Sequence, residues 1–162
     1  MKTIYLLRHA KSSWENADLA DFDRPLNRRG LENAPAVGGK IYENRFRVDS
    51  IVSSPAKRAK QTAILVKEAA QIQSAISFDE RIYEASPQSL LKVVSDAGDD
   101  KMSLLLVGHN PGLEGFIKLL TGETREMPTA ALAVIYLKIG RWAEIKAGCG
   151  ELQTLIRPKS LD

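Results

Sequence analysis

Two short apolar runs, each ending abruptly at a histidine, constrain this chain more than anything else in it. Thr3-Ile4-Tyr5-Leu6-Leu7 leads into Arg8-His9, and Ser103-Leu104-Leu105-Leu106-Val107 leads into Gly108-His109. Apolar, partly β-branched runs of this length with polar ends predict buried strands. The chain has only two histidines, so every imidazole stands just past the C-terminal end of a predicted strand, where the chemistry of α/β sheets gathers. If those strands are parallel neighbours in one sheet, the two rings face each other across one pocket.

The segment His9 to Arg24 is polar and irregular, with Trp14 and Phe22 as its expected anchors. Arg24-Pro25-Leu26-Asn27 opens a helix: Asn27 is the N-cap, and Leu31, Val37 and Ile41 recur along it. Pro35 either distorts that helix or marks its first turn. Asp49 to Ser53 predicts a second strand. Ser54-Pro55 starts a helix to about Ala70, with Ser54 as cap, proline at the first position and Ala59, Thr62, Ala63 and Val66 on one face. Ile76 to Phe78 is a brief strand, and Asp79 to Ala85 a connection. Ser86-Pro87 opens a helix through Leu90, Leu91 and Val94. After the second histidine a helix runs from about Leu113 to Leu120 and stops at Thr121-Gly122. Ala131 to Ile139 and Trp142 to Lys146 predict a closing hairpin turning at Gly140-Arg141. From Gly150 onward no pattern is readable. Strands alternating with helices mean βαβ units and a mostly parallel sheet covered on both faces, with right-handed crossovers placing the post-strand loops along one edge. The 162 residues are expected to form a single domain, 1–162.

Composition narrows the function. A net charge of +3 suits an anionic ligand but is too small to argue for nucleic acid, and no basic tract interleaves with aromatics. The lone cysteine, Cys149, can make neither an internal disulfide nor a cysteine-rich zinc site. Nothing approaches the length of a signal-peptide core or a membrane span. A cytoplasmic monomer with no membrane partner is expected.

Arg8 and His9, Arg58 near the start of the second helix, and His109 fall in three loops on the same predicted edge. Guanidinium groups bind phosphate by paired hydrogen bonds, and a neutral imidazole can attack phosphorus to form phosphohistidine. A second imidazole, protonated, can stabilise the charge on the equatorial oxygens. No metal or cofactor is needed where cationic side chains neutralise the charge. Each residue also has a plainer reading: a structural hydrogen-bonding histidine, a surface ion pair at Arg8, a solvated helix face around Arg58. Phosphate-loop and dinucleotide motifs fail on spacing at Gly108-His109-Asn110-Pro111-Gly112.

Leu7-Arg8-His9-Ala10-Lys11-Ser12 with Trp14 resembles the Arg-His-Gly signature of the histidine phosphatase superfamily. Ser53-Ser54-Pro55-Ala56-Lys57-Arg58-Ala59-Lys60-Gln61-Thr62-Ala63 resembles its second block, Val107 to Gly112 its third, and Arg24-Pro25-Leu26-Asn27-Arg28-Arg29-Gly30 its helix start. The short length and the Ala-Lys-Ser and Gly-His-Asn-Pro-Gly variants resemble the SixA-type phosphohistidine phosphatase branch. The resemblance implies a phosphoglycerate mutase-like three-layer αβα sandwich around a mixed, mostly parallel sheet. It implies His9 as nucleophile, with Arg8, Arg58 and His109 completing the phosphate pocket and Ser12 among the substrate contacts. Ala10 replaces the family's glycine, and Glu15 stands where mutase-like members carry asparagine. Glu84 falls in the region where those members carry an acidic proton donor; its other reading is an exposed loop carboxylate. The expected activity is metal-independent hydrolysis of phosphohistidine in a phosphorylated protein. The alternatives are a phosphomonoesterase acting on a small metabolite or nucleotide, and a non-catalytic phosphate-binding module.

Overall fold

The computed structural model describes residues 1–158. One six-stranded sheet runs through it in the order β3-β2-β4-β1-β5-β6. Its strands are β1 (Lys2–Arg8), β2 (Ser50–Ser53), β3 (Ile76–Phe78), β4 (Ser103–Gly108), β5 (Leu132–Leu137) and β6 (Gly150–Ile156). The first four in spatial order are mutually parallel, while β5 and β6 join antiparallel beyond β1. The sheet is therefore mixed and mostly parallel, as expected. The helices are α1 (Arg28–Glu43), α2 (Lys57–Ala70), α3 (Pro87–Ser95) and α4 (Gly112–Thr121), in two layers.

The central strands are apolar throughout because both of their faces are covered. Ile4, Leu6, Leu104 and Leu106 pack with Val94, Phe116 and Ile117 of α3 and α4. Tyr5, Leu7, Leu105 and Val107 pack with Val37, Ile41, Ala63 and Val66 of α1 and α2. Strand alternation thus feeds two cores from one run of residues.

Caps explain three of the helix boundaries. Asn27 is extended and its side chain accepts a bond from the Gly30 N–H at 2.9 Å. The Ser86 hydroxyl caps α3 by accepting from Ser89 N–H at 3.1 Å. Gly122, at φ 79°, ends α4 in the left-handed region that glycine enters without cost. Pro35 lies inside α1 rather than in its first turn.

Several expectations are corrected. The partner of β5 is β6, not Trp142 to Lys146; Trp142–Glu144 is a single 3₁₀ turn. Trp142 is fully buried there, its indole N–H on the Lys101 carbonyl at 2.9 Å. Leu31 is 49% exposed, and Ala34 takes the core position with Val37 and Ile41. Ser54 does not cap α2, which begins at Lys57 after Ala56; its hydroxyl instead accepts from the Ala56 N–H at 3.2 Å. Trp14 is no buried anchor: it is 77% exposed. Phe22 is also partly exposed and meets Tyr83 edge-on, 5.1 Å between centroids.

The segment after His9 is stapled to the entry of α1. Ser13 N–H donates to the Pro25 carbonyl at 2.8 Å and Asn27 N–H to the Lys11 carbonyl at 2.9 Å. Gly30 sits beneath this staple, where a Cβ would overlap the Lys11 carbonyl oxygen. Backbone cannot give way as a side chain does. Gly30→Ala is therefore expected to destabilise the fold by about 1–3 kcal/mol, read as a lower urea midpoint, and to disturb the site next to Lys11. An unchanged midpoint would contradict this packing.

Candidate active site

β1 and β4 are hydrogen-bonded neighbours in register, with Arg8 opposite Gly108. His9 and His109 therefore leave the sheet side by side, and the His9 N–H still bonds the Gly108 carbonyl at 3.1 Å. Their ring centroids lie 5.1 Å apart. Arg58 arrives from the first turn of α2 and donates from Nε to His9 Nε2 at 3.4 Å. Arg8, His9, Ser12, Arg58 and His109 line one cavity of about 270 Å³. The structure thus brings together the four residues singled out by the strand ends, with Ser12 on the same wall. A larger surface cleft at Met1, Lys138 and Gly140 lies at the far end of the sheet and has none of this chemistry.

The orientation of the His9 ring is fixed by its own backbone. Nδ1 lies 2.7 Å from the Ala10 carbonyl oxygen, which can only accept, so the proton is on Nδ1 and the lone pair on Nε2. Burial, joined by the nearby His109, Arg58 and Arg8, pushes its pKa down to about 3, against the opposing effect of the Ala10 bond. Burial and then Arg58 push His109 down to about 4. Both rings are neutral near pH 7, which corrects the expectation of a protonated second imidazole: burial and the arginine charge disfavour the cation.

Arg58 is buried and committed in three directions. Besides His9, its Nη1 donates to the Asp21 carbonyl at 2.7 Å and its Nη2 to Asp21 Oδ2 at 3.0 Å. Asp21 also accepts from the Tyr83 hydroxyl at 2.6 Å and from Arg24 at 3.2 Å. The Tyr83 bond first, and then the arginines, hold its pKa down at about 2. Arg24 is itself buried, donates to Ser12 Oγ at 2.8 Å and stacks 3.5 Å above the Trp14 ring. Thr62 ties α2 to the residue after His9, accepting from Ala10 N–H at 3.0 Å and donating to the Arg58 carbonyl at 2.7 Å.

On the other side, Arg8 Nη1 donates to the Met127 carbonyl at 3.1 Å. Burial lowers its pKa, and the charge of Glu114 opposes that shift. Glu114 Oε2 accepts from Asn110 Nδ2 at 3.0 Å and Met127 N–H at 2.8 Å, fixing this wall. Ala130, at φ 64°, shares its N–H between the Arg8 and His9 carbonyls at 3.1 Å each. A non-glycine residue held in the left-handed region stores strain, of order 1–3 kcal/mol, at the point where both strand-end residues are gripped.

Glu84 does not share the cavity with His9. It is exposed and lines an adjoining cleft of about 440 Å³ with Asp21, Tyr83 and Pro111, which meets the cavity at Arg58, His109 and Asn110. Sequence reasoning passed over Asp21, Arg24, Tyr83, Thr62 and Glu114. Asp21 and Arg24 sit in the segment between the first strand and α1, where only an acid three residues before a base hinted at a pair. Among the described residues no group of three or more His, Cys, Asp or Glu side chains is placed to hold a metal ion. Among them, too, no helix is long and apolar enough to cross a membrane.

A buried neutral lone pair beside guanidinium groups suits nucleophilic attack on a bound phosphoryl group, and known proteins place the chain accordingly. Residues 4–91 match the model of the histidine phosphatase superfamily, branch 1. The chain belongs to the histidine phosphatase superfamily. An uncharacterized protein of Mycobacterium tuberculosis is 32% identical over 157 residues, covering 90% of this chain and 96% of that one. The candidate phosphohistidine phosphatase SixA from Agrobacterium tumefaciens has 29% identity and a TM-score of 0.83, covering 97% of this chain and 98% of its own. Its counterpart from Nakamurella multipartita has 25% identity and a TM-score of 0.83, covering 97% and 96%. Within the superfamily the chain falls in the SixA-type branch, with a phosphoglycerate mutase-like fold. Superfamily membership together with the likeness to the SixA-type structures supports a phosphatase-type hydrolase.

The two buried imidazoles have a consequence for stability. Their folded pKa values of about 3 and 4 lie below the ordinary 6.5, so between these limits the unfolded chain binds more protons than the folded one. Stability is full above pH 6.5 and is lost as pH falls below it, by at most about 1.4 kcal/mol per pH unit for each ring. The urea midpoint is expected to drop between pH 7 and pH 5, and less steeply in His109→Gln. Asp21, held at about 2, adds its own loss only as pH falls below the ordinary carboxylate range. Equal midpoints at pH 7 and pH 5 would rule out two buried neutral rings.

Proposed function

We propose that this chain is a metal-independent phosphohistidine phosphatase acting on a phosphorylated protein, with His9 as nucleophile. The observation that carries the reading is the His9 ring itself: its Nδ1 proton is spent on the Ala10 carbonyl at 2.7 Å, leaving the Nε2 lone pair in the cavity beside Arg58. In the first step Nε2 attacks phosphorus. The bond from phosphorus to the substrate's imidazole nitrogen breaks; that nitrogen keeps the electron pair, and the imidazole leaves neutral with the proton its other ring nitrogen already carries. In the second, water attacks phosphorus, the bond to Nε2 breaks, inorganic phosphate departs and the ring is neutral again. Arg8, Arg58 and His109 hold the phosphoryl oxygens, with Ser12 on the cavity wall.

The nitrogen-linked substrate is favoured by the acids at hand. Protonation of the leaving imidazole can accompany the substrate, whereas an alkoxide needs a positioned acid, typically contributing about 10²–10⁴-fold. Asp21 is held ionised at about 2, and Glu84 is exposed on the adjoining cleft. The guanidinium groups meet the phosphoryl charge, so activity is expected to persist in EDTA. A release assay comparing a phosphohistidine protein with a panel of sugar, nucleotide and serine phosphates tests the reading. The phosphohistidine protein is expected to lead, and Glu84→Gln to leave that activity nearly intact while lowering any on esters. A faster ester would replace this reading with a phosphomonoesterase, and no turnover on any substrate with a phosphate-binding module.

A further inference from the structure

The second imidazole is held by a single protein group. His109 Nε2 lies 2.8 Å from the Ser54 hydroxyl oxygen, and its Nδ1 is buried without a protein partner. The ring is flanked by His9 at 5.1 Å and by Tyr83, edge-on, at 5.5 Å. A flipped ring would set a C–H against the Ser54 oxygen.

The direction of the Ser54–His109 bond follows from counting protons. Ser54 is fully buried. Its oxygen already accepts from the Ala56 N–H at 3.2 Å, and the hydroxyl has one proton to give. His109 Nε2 is the one acceptor among its described partners. A buried hydroxyl left without an acceptor loses the hydration it gave up with nothing in return, so the O–H points at Nε2. The imidazole then carries its own proton on Nδ1. Charging the ring would require Nε2 to donate to Ser54, stranding the serine proton.

We propose that Ser54 is a positioning residue that locks neutral His109 with its lone pair on Nε2 and its proton on Nδ1, so that one buried imidazole offers the phosphoryl group a lone pair and the other an N–H. The proposal rests on the reading that the phosphoryl group binds between the two rings. The same tautomer serves both rings in opposite senses. His9 buries its N–H against a backbone carbonyl and presents Nε2, whereas His109 buries its lone pair against a serine and presents Nδ1–H. A neutral donor of this kind needs no proton from solvent before phosphate arrives.

The test is nitrogen NMR of the full chain with labelled histidine, near pH 7 and without phosphate. The two rings are told apart by His109→Gln. His109 Nδ1 is expected to read as protonated and Nε2 as unprotonated. Ser54→Ala should lose that pattern and lower turnover of a phosphohistidine protein roughly 10²-fold, the low end of what removing a preorganised donor costs. Ser54→Thr, which keeps the hydroxyl, should restore both. A protonated Nε2 in the unaltered protein would overturn the proposal, as would a Ser54→Ala protein with unchanged pattern and turnover. The spectrum of the unaltered protein decides the tautomer even if Ser54→Ala does not fold. It does so whether or not phosphohistidine is the substrate, which the release assay settles separately.

Discussion

His9→Ala is expected to lower turnover by at least about 10³-fold while leaving substrate binding largely in place. The loss falls on kcat because a nucleophile acts in the transition state, whereas Arg8 and Arg58 can still hold the phosphoryl group. Quenching the unaltered enzyme during turnover should trap an acid-labile phosphoryl group on His9. The variant should also be less sensitive to mild acid than the parent, since one of the two imidazoles that burial keeps neutral is gone. Near-normal activity in the variant, or label on another residue, would remove His9 from the nucleophile's role.

Arg58 is expected to be nearly as intolerant. Its guanidinium reaches His9 Nε2, the Asp21 carbonyl and the Asp21 carboxylate at once. Lysine carries the charge but cannot fork in three directions. Arg58→Ala should cost about 10³-fold or more in kcat/KM, the range in which a transition-state arginine works. Arg58→Lys should recover only a small part of it. The stability loss should be modest, about 1 kcal/mol, because Asp21 is 49% exposed and keeps Tyr83 and Arg24. If Arg58→Lys matched the parent in kcat/KM, the three-way geometry would be irrelevant to function.

Legibility in the sequence followed burial. β1 and β4 announced themselves because strands covered on both faces must be apolar at every position, and α1 and α3 because Asn27 and Ser86 cap them locally. The hairpin failed for a physical reason. Trp142 and Ile145 are apolar at a spacing that a 3₁₀ turn also satisfies, and both are buried under it. The true partner, β6, is half exposed and pairs across a register slip at Val134/Ile135 that breaks its alternation. Trp14 was expected inside because it is large and apolar; its stacking under Arg24 holds it at the rim instead. His9, His109, Arg8 and Arg58 could be named because each stands at a strand or helix end. Asp21, Tyr83 and Ser54 could not, since the contacts that tie them to the site, Asp21 to Arg58, Tyr83 to Asp21 and Ser54 to His109, span 37 to 62 residues of sequence.

The strand order governs how the molecule comes into being. β4 lies between β1 and β2, so the two strands made first have no contact ladder with each other. As the chain emerges from the ribosome, about a hundred residues must appear before β1 finds its parallel neighbour. Until then the inward edges of β1 and β2 stay open to other chains, and the cavity has one imidazole and no opposite wall. Residues 4–91, the stretch that matches the superfamily's model, hold His9 and Arg58 but lack the strand that would hold their sheet together. Insertion of β4 joins β1 to β2 and brings the two rings face to face, before β5 and β6 extend the sheet beyond β1. Newly made chains should therefore gain catalytic competence and resistance to aggregation in the same late event, as expected of a topology rich in non-local pairings.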